Sequence, residues 1–286
     1  MTAIEALPVA LIIWLALAMI LSGFIQGALG FGFPFIATPM VAMVTDMRTA
    51  IIVVLLPTLA TVAITLVTSG PLGATLKRFW MMPVYATAGA LVGTWIFVAA
   101  PDAPYQLLLA LIIIVYLNLD RISRGEWPFV KRHEKAFAPL AGTAAGLFEG
   151  TANVAAPPLI IYYLALGLAP AMMVQAMQIC FLVGKSTQFA VLTLHGGVTS
   201  AQWVATLPFC AVAVAAGFAG ARVRNRIDAA LFRRWIKRAL ALIDTEPAAT
   251  PQRASAELLR MIVALAFTDA SAARQHMERA AQALHP

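Results

Sequence analysis

Two ionisable side chains, Glu149 and Lys185, stand inside apolar sequence that is otherwise cleared of charge. Burying either at membrane depth is costly, so each is a functional candidate by default. Glu149 could take up and release a proton during a transport cycle. The alternative is a tether, hydrogen-bonded to exposed backbone and never titrating. Lys185 lies in Gly184-Lys-Ser-Thr-Gln188. Its ammonium could neutralise a bound anion, with Ser186, Thr187 and Gln188 adding hydrogen bonds. Equally, it could pair with Glu149, or reach water along its own stem. The readings meet if an anion competes with Glu149 for Lys185. Gly184-Lys-Ser is not a phosphate-binding loop, because the upstream glycine and the preceding strand are missing.

Uncharged polar groups accompany these two. Gln26, Asn153, Gln175 and Gln178 also fall near membrane depth. Gln175 and Gln178 are three apart and share a helix face, where they line a pathway or bridge helices. Gly27, Gly30, Gly32 and Gly150 are expected to leave backbone N–H groups free, and such groups at a half-helix N-terminus attract anions. The candidate anion-binding set is therefore Lys185, Gln26, Gly27, Gly30, Gly32, Glu149, Gly150, Asn153, Gln178 and Ser186, with Glu149 carrying the proton. Tyr162 and Tyr163 line a cavity, sit in an aromatic belt or pack. His195, before Gly196-Gly197, reads as a turn residue. No HExxH, GxSxG or cysteine pair occurs, so neither an enzyme nor a metal or other cofactor is expected. Cys180 and Cys210 read as small packing residues.

What positions these residues is a pair of matched interruptions. Gly23-Phe-Ile-Gln-Gly-Ala-Leu-Gly-Phe-Gly-Phe-Pro34 and Gly146-Leu-Phe-Glu-Gly-Thr-Ala-Asn-Val-Ala-Ala-Pro157 superpose at one constant offset. Gly23 meets Gly146, Gln26 meets Glu149, Gly27 meets Gly150, Gly30 meets Asn153 and Pro34 meets Pro157. Backbone freed at membrane depth is tolerated only where protein or a watery cavity covers it. Two such interruptions in corresponding places are the best sequence pointer to a transporter's binding site.

Composition sets the class. Of 286 residues, 61% are hydrophobic and 12% charged, against about 25% charged in a soluble domain. Mean hydropathy is +0.84. The expected fold is an all-α polytopic membrane protein of about nine spans (eight to ten), with broken or re-entrant helices. The spans are placed at 8–28, 32–45, 49–68, 79–99, 104–120, 136–152, 154–168, 172–194 and 202–221. The first is not a cleaved signal peptide, since no basic stretch precedes it.

Basic residues then assign topology. Lys77 and Arg78, the group Arg121, Arg124, Lys131, Arg132 and Lys135, and Arg222, Arg224 and Arg226 fall on one side if the N-terminus is outside. The positive-inside rule makes that side cytoplasmic. The net charge of +7 is thus an orientation signal and not a nucleic-acid footprint. Five spans precede the second interruption, so the halves are inverted relative to one another. Pro83 with Gly89 and Gly93 matches Pro208 with Gly217 and Gly220.

The expected domains are a first membrane repeat at 1–120, a basic cytoplasmic linker at 121–135 and a second repeat at 136–228. A helix at 229–243 follows, either basic and amphipathic on the membrane surface or a short final span. A polar helical tail at 244–286 lies in the cytoplasm. Expected partners are the lipid bilayer and a small anion, with a homodimer left open.

The two interrupted stretches resemble the first- and second-repeat signatures of the sulfite exporter TauE/SafE family, including Pro157-Pro158 and the following Tyr162. The resemblance covers roughly residues 8–228. It implies a bacterial inner-membrane transporter with two homologous halves, moving sulfite, an organosulfonate or a related small anion. The leading expectation is a secondary transporter working by alternating access. The alternatives are a passive anion channel and a membrane assembly protein acting through its cytoplasmic tail. The chain departs from the family pattern where a final apolar span is expected, and at Asn153-Val-Ala-Ala, where glycine or serine is common.

Overall fold

A computed structural model describes residues 9–105, 107–109, 111–112 and 128–226. All regular structure among them is helical. The helices are α1 (Val9–Leu29), α2 (Phe33–Ala42), α3 (Met47–Thr68), α4 (Gly73–Phe79) and α5 (Met81–Ala99), then α6 (Pro128–Arg132), α7 (Glu134–Ala152), α8 (Ala156–Ala165), α9 (Pro170–Leu194) and α10 (Ser200–Arg226). The end of the expected 104–120 span, residues 121–127 of the 121–135 linker, the 229–243 helix and the 244–286 tail fall outside the described residues.

Among the described residues, five helices are long and apolar enough to cross a membrane: α1, α3, α5, α9 and α10. α2 and α8 are equally apolar but have 10 residues each. At about 1.5 Å per residue each spans about half of a hydrocarbon core. The sequence explains why they start where they do. Gly30 and Gly32 hold φ of 86° and 113° ahead of α2, a region that glycine enters freely. Asn153 holds φ 64° ahead of α8; asparagine tolerates this better than other side chains. Proline then occupies the first turn of both short helices, where its missing N–H costs nothing.

Each short helix doubles back on the one before it. The Trp14 indole N–H donates to the Met40 carbonyl at 2.8 Å, so α2 returns along α1. The Tyr162 hydroxyl donates to the Glu134 carbonyl at 3.1 Å, so α8 returns along α7. α3 and α9 follow as full-length helices that pack on each other. Asp46 caps α3 by accepting from the Thr49 N–H at 2.9 Å.

The halves are interlaced. α1 packs along α10 and α5 along α7, while α10 packs on α3 and α9 on α5. Glycine permits the close approach. A methyl group on Gly23 would overlap the Ala213 carbonyl, and one on Gly146 would overlap the Ala86 carbonyl. Gly27 meets Gly217 and Ala221 as Gly150 meets Ala90 and Thr94. These contacts pair Gly93 with Gly220, as the sequence comparison has it. They pair Gly217 with Ala90 and not with Gly89, because the packing register and not proline spacing sets the equivalence.

The two ends of the molecule differ. At one end the Arg48 guanidinium donates to the Gly196 carbonyl, and Trp95 lies 5.0 Å from His195 between ring centres. At the other end Arg78 pairs with Glu134 at 3.3 Å. Between them, large apolar side chains such as Ile13, Leu17, Val92 and Val204 are exposed on the outside. That surface suits lipid and not water.

Candidate functional site

The site grows from the backbone at the two interruptions. At the end of α1, the Gly30 N–H donates to the Gln26 carbonyl at 2.8 Å. At the end of α7, the Asn153 N–H donates to the Glu149 carbonyl at 3.0 Å. The same offset that matches the sequences thus matches both left-handed residues and both closing hydrogen bonds. Only Asn153 adds a side chain at this point.

That side chain joins a buried cluster. The Lys185 ammonium lies 2.7 Å from Oε1 of Glu149, with side-chain exposures of 0% and 3%. Lys185 also donates to Oδ1 of Asn153, and to Oε1 of Gln188 at 3.1 Å. Oε1 of Glu149 is held by charge at 2.7 Å, without a hydrogen bond of its own among the described residues. The amide of Asn153 donates onward to the Thr38 hydroxyl of α2 at 2.7 Å. The amide of Gln188 donates to the carbonyls of Glu149 and Gly150 at 3.2 and 3.4 Å. α7, α9 and the tip of the second short-helix hairpin therefore meet at one cation, and Asn153 ties them to α2.

A second, uncharged cluster surrounds Gln26, which is 1% exposed. Its Oε1 accepts from the Phe33 N–H at 3.1 Å, holding the start of α2. Its amide reaches the Gly30 carbonyl and the Thr65 hydroxyl over long contacts of 3.5 and 3.4 Å. Gln178, also fully buried, donates from α9 to the same Gly30 carbonyl. Its Oε1 has no hydrogen-bond partner among the described residues.

Some expected members stand elsewhere. Gly27 and Gly150 do not offer free N–H groups, because both lie inside helices, where their missing side chains admit the neighbouring helix. The Gly30 N–H is taken by Gln26. Gly32 is half-buried at the start of α2. Ser186 is exposed on the outer face of α9, its hydroxyl donating to the Leu182 carbonyl at 2.8 Å. Gln175 bridges helices, accepting from Thr75 at 2.6 Å and donating to the Ser69 carbonyl at 2.8 Å. Tyr163 packs edge-on against Phe79, and Tyr162 braces α7.

Sequence reasoning kept Gln188 only as a neighbour of Lys185 and missed Thr38 and Thr65. A signal was present for the first. Gln175, Gln178, Lys185 and Gln188 fall close to one face of a single helix. Nothing in a threonine within an apolar run marks it as a partner.

A family model matches residues 15–243 under the description sulfite exporter TauE/SafE. The chain belongs to the sulfite exporter TauE/SafE family. The match runs through residues 229–243, beyond the resemblance read from the motifs. No curated protein and no solved structure matches the chain. Membership in TauE/SafE, with the apolar helices above, makes this a multi-pass membrane protein and indicates transport of sulfite or a related anion. In this TauE/SafE chain the buried cation and Gln188 come from α9, the carboxylate and Asn153 from the second signature, and Thr38 from α2, which follows the first.

Proposed function

We propose that the protein is a secondary transporter of a small sulfur-containing oxyanion, sulfite or an organosulfonate, working by alternating access in the bacterial inner membrane. The observation that carries this reading is the buried Lys185 ammonium, ion-paired with Glu149 and donating to Asn153 and Gln188. With Glu149 ionised, Lys185 is neutralised by its carboxylate. A proton on Glu149 leaves Lys185 charged among neutral amides. An oxyanion then replaces the lost charge, bridged by the ammonium and the amide of Asn153. Loss of the proton restores the ion pair and expels the anion. Proton and anion thus travel together.

Two further features support the reading. α2 returns toward the Arg48 end and α8 toward the Arg78 end, as expected of repeats of inverted topology. Lys77, Arg78, Lys131, Arg132 and Arg222 cluster on the Arg78 side of the loops, which the positive-inside rule assigns to the cytoplasm, with the N-terminus periplasmic.

The test is sulfite flux into liposomes under an imposed pH difference. Native protein should accumulate sulfite with the gradient, and Lys185→Ala and Glu149→Gln should not. Flux that is unchanged in both variants removes the assigned roles. Flux that ignores the gradient in native protein makes it a channel.

A further inference from the structure

A cleft of ≈ 30 Å³ lies between α1, α3 and α10. That volume holds about two water molecules and is too small for a hydrated oxyanion. Gln26, Thr61, Thr65 and Thr68 form its polar wall, with Gly217 and Phe218 opposite. The threonines recur at helical spacing on one face of α3. Each hydroxyl donates back to its own helix: Thr61 to the Pro57 carbonyl, Thr65 to that of Thr61, and Thr68 to that of Ile64. Their oxygens therefore turn lone pairs toward the cleft. Gln26, with its long contacts, supplies donors. Gln26 also holds the Gly30 carbonyl, which Gln178 shares, so the cleft wall is tied to the central interruption. It lies toward the Arg78 end, where Ala221 in its wall is followed by exposed Arg222.

The other half contains the same device in another state. The offset that lays Gly30 on Asn153 lays Thr61 on Gly184, Thr65 on Gln188 and Thr68 on Val191. Here the space is filled. A methyl group on Gly184 would lie 3.3 Å from Cγ of Glu149. Gln188 is tied to the carbonyls of α7. Val191 is 5% exposed, whereas Thr68 is exposed.

We infer that the two halves hold open and closed forms of one vestibule. The cleft at Thr65 admits water at the Arg78 end. In the alternate state an equivalent cleft opens between α5, α7 and α9 toward the Arg48 end, wetting Glu149, while the first closes. Exchange of conformation between inverted repeats produces such a pair of states. The inference rests on the alternating-access reading above.

The test uses cysteine accessibility in the full chain, with Cys180 and Cys210 replaced by alanine, in membrane vesicles of known sidedness. Thr68→Cys should react with an impermeant maleimide from the Arg78 side only, and Val191→Cys from the Arg48 side only. In the double variant, prior reaction of Thr68→Cys with a bulky maleimide wedges the first cleft open. Labelling of Val191→Cys should then fall about fivefold or more, the low end of coupling between linked sites. The inference is overturned if Val191→Cys never reacts from the Arg48 side, if both react from one side, or if the wedge changes nothing. Ile64→Cys and Thr187→Cys, the next equivalent pair and each half-buried, repeat the test should the first pair not fold. Sulfite flux in the same vesicles separates the two readings. Alternation without sulfite flux overturns the proposed substrate. Lys185-dependent sulfite flux without alternation overturns the paired clefts.

Discussion

Removing one charge of the central pair should cost far more than removing both. Nζ of Lys185 and Oε1 of Glu149 are 2.7 Å apart and have essentially no contact with solvent. Lys185→Met leaves the Glu149 carboxylate buried without its partner, a change that costs about 3–5 kcal/mol for a buried pair. Glu149→Gln leaves an ammonium among amides, with a cost of the same order. Lys185→Met/Glu149→Gln removes both charges and keeps the volume. Such neutral replacements range from no effect to about 1–4 kcal/mol of stabilisation. The double variant should therefore be more stable than either single one. Denaturant unfolding of all four proteins in mixed micelles measures this cycle, beside sulfite flux in liposomes. All three variants should fail to transport, so the stable double variant separates folding from function. The reasoning is refuted if the single costs add to the double within ~0.5 kcal/mol, the behaviour of independent sites.

Asn153 allows a finer separation. Asn153→Gly keeps the left-handed backbone and removes only the contacts to Lys185 and Thr38, so flux should fall while the fold survives by circular dichroism. Asn153→Val, forced to φ 64°, should lose about 1–2 kcal/mol more in unfolding experiments. Gly27→Ala and Gly150→Ala should each cost at least the about 1–3 kcal/mol of an overpacked core. Gly217→Ala, whose added methyl lies 3.5 Å from the Gly23 carbonyl, should be tolerated; equal losses would refute the packing assignment. Asp46→Ala removes the cap of α3 and should cost about 1 kcal/mol. Burial raises the Asp46 carboxyl, but hydrogen bonds from the side chain and backbone of Thr49 outweigh it, so the carboxyl lies below its ordinary 3.8. A lowered value in the folded state means stability that is complete above that ordinary value and is lost as pH falls through the folded one. The native protein should shed this contribution only in that acid range, and Asp46→Ala should lack that part of the pH dependence.

Membrane class, the matched interruptions and the two buried charges were legible because each is a composition signal against an apolar background. Gly30 and Asn153 read as paired positions, and the structure gives both a left-handed backbone. Gly27 and Gly150 read as donors because a glycine near an interruption looks like part of it. Their actual role, admitting α10 and α5, depends on which helix lies alongside, which local sequence does not encode. Ser186 misled for a related reason. It is next to Lys185 in sequence, but one residue is about 100° around a helix, and that turns it to the outside. Gln188, three residues on, returns to the right face.

The interlacing of α1 with α10 also sets the order in which the chain can be completed. The glycine face of α1 is made well before its partner, which follows only after residue 200. Until then Gly23 and Gly27 face lipid or a temporary companion. α1 gains α2 as a neighbour early, but its glycine face is covered only by α10. Most of the chain must emerge before either half has a finished core, and a ribosome stalled ahead of α10 leaves behind not half a transporter but an unsealed one.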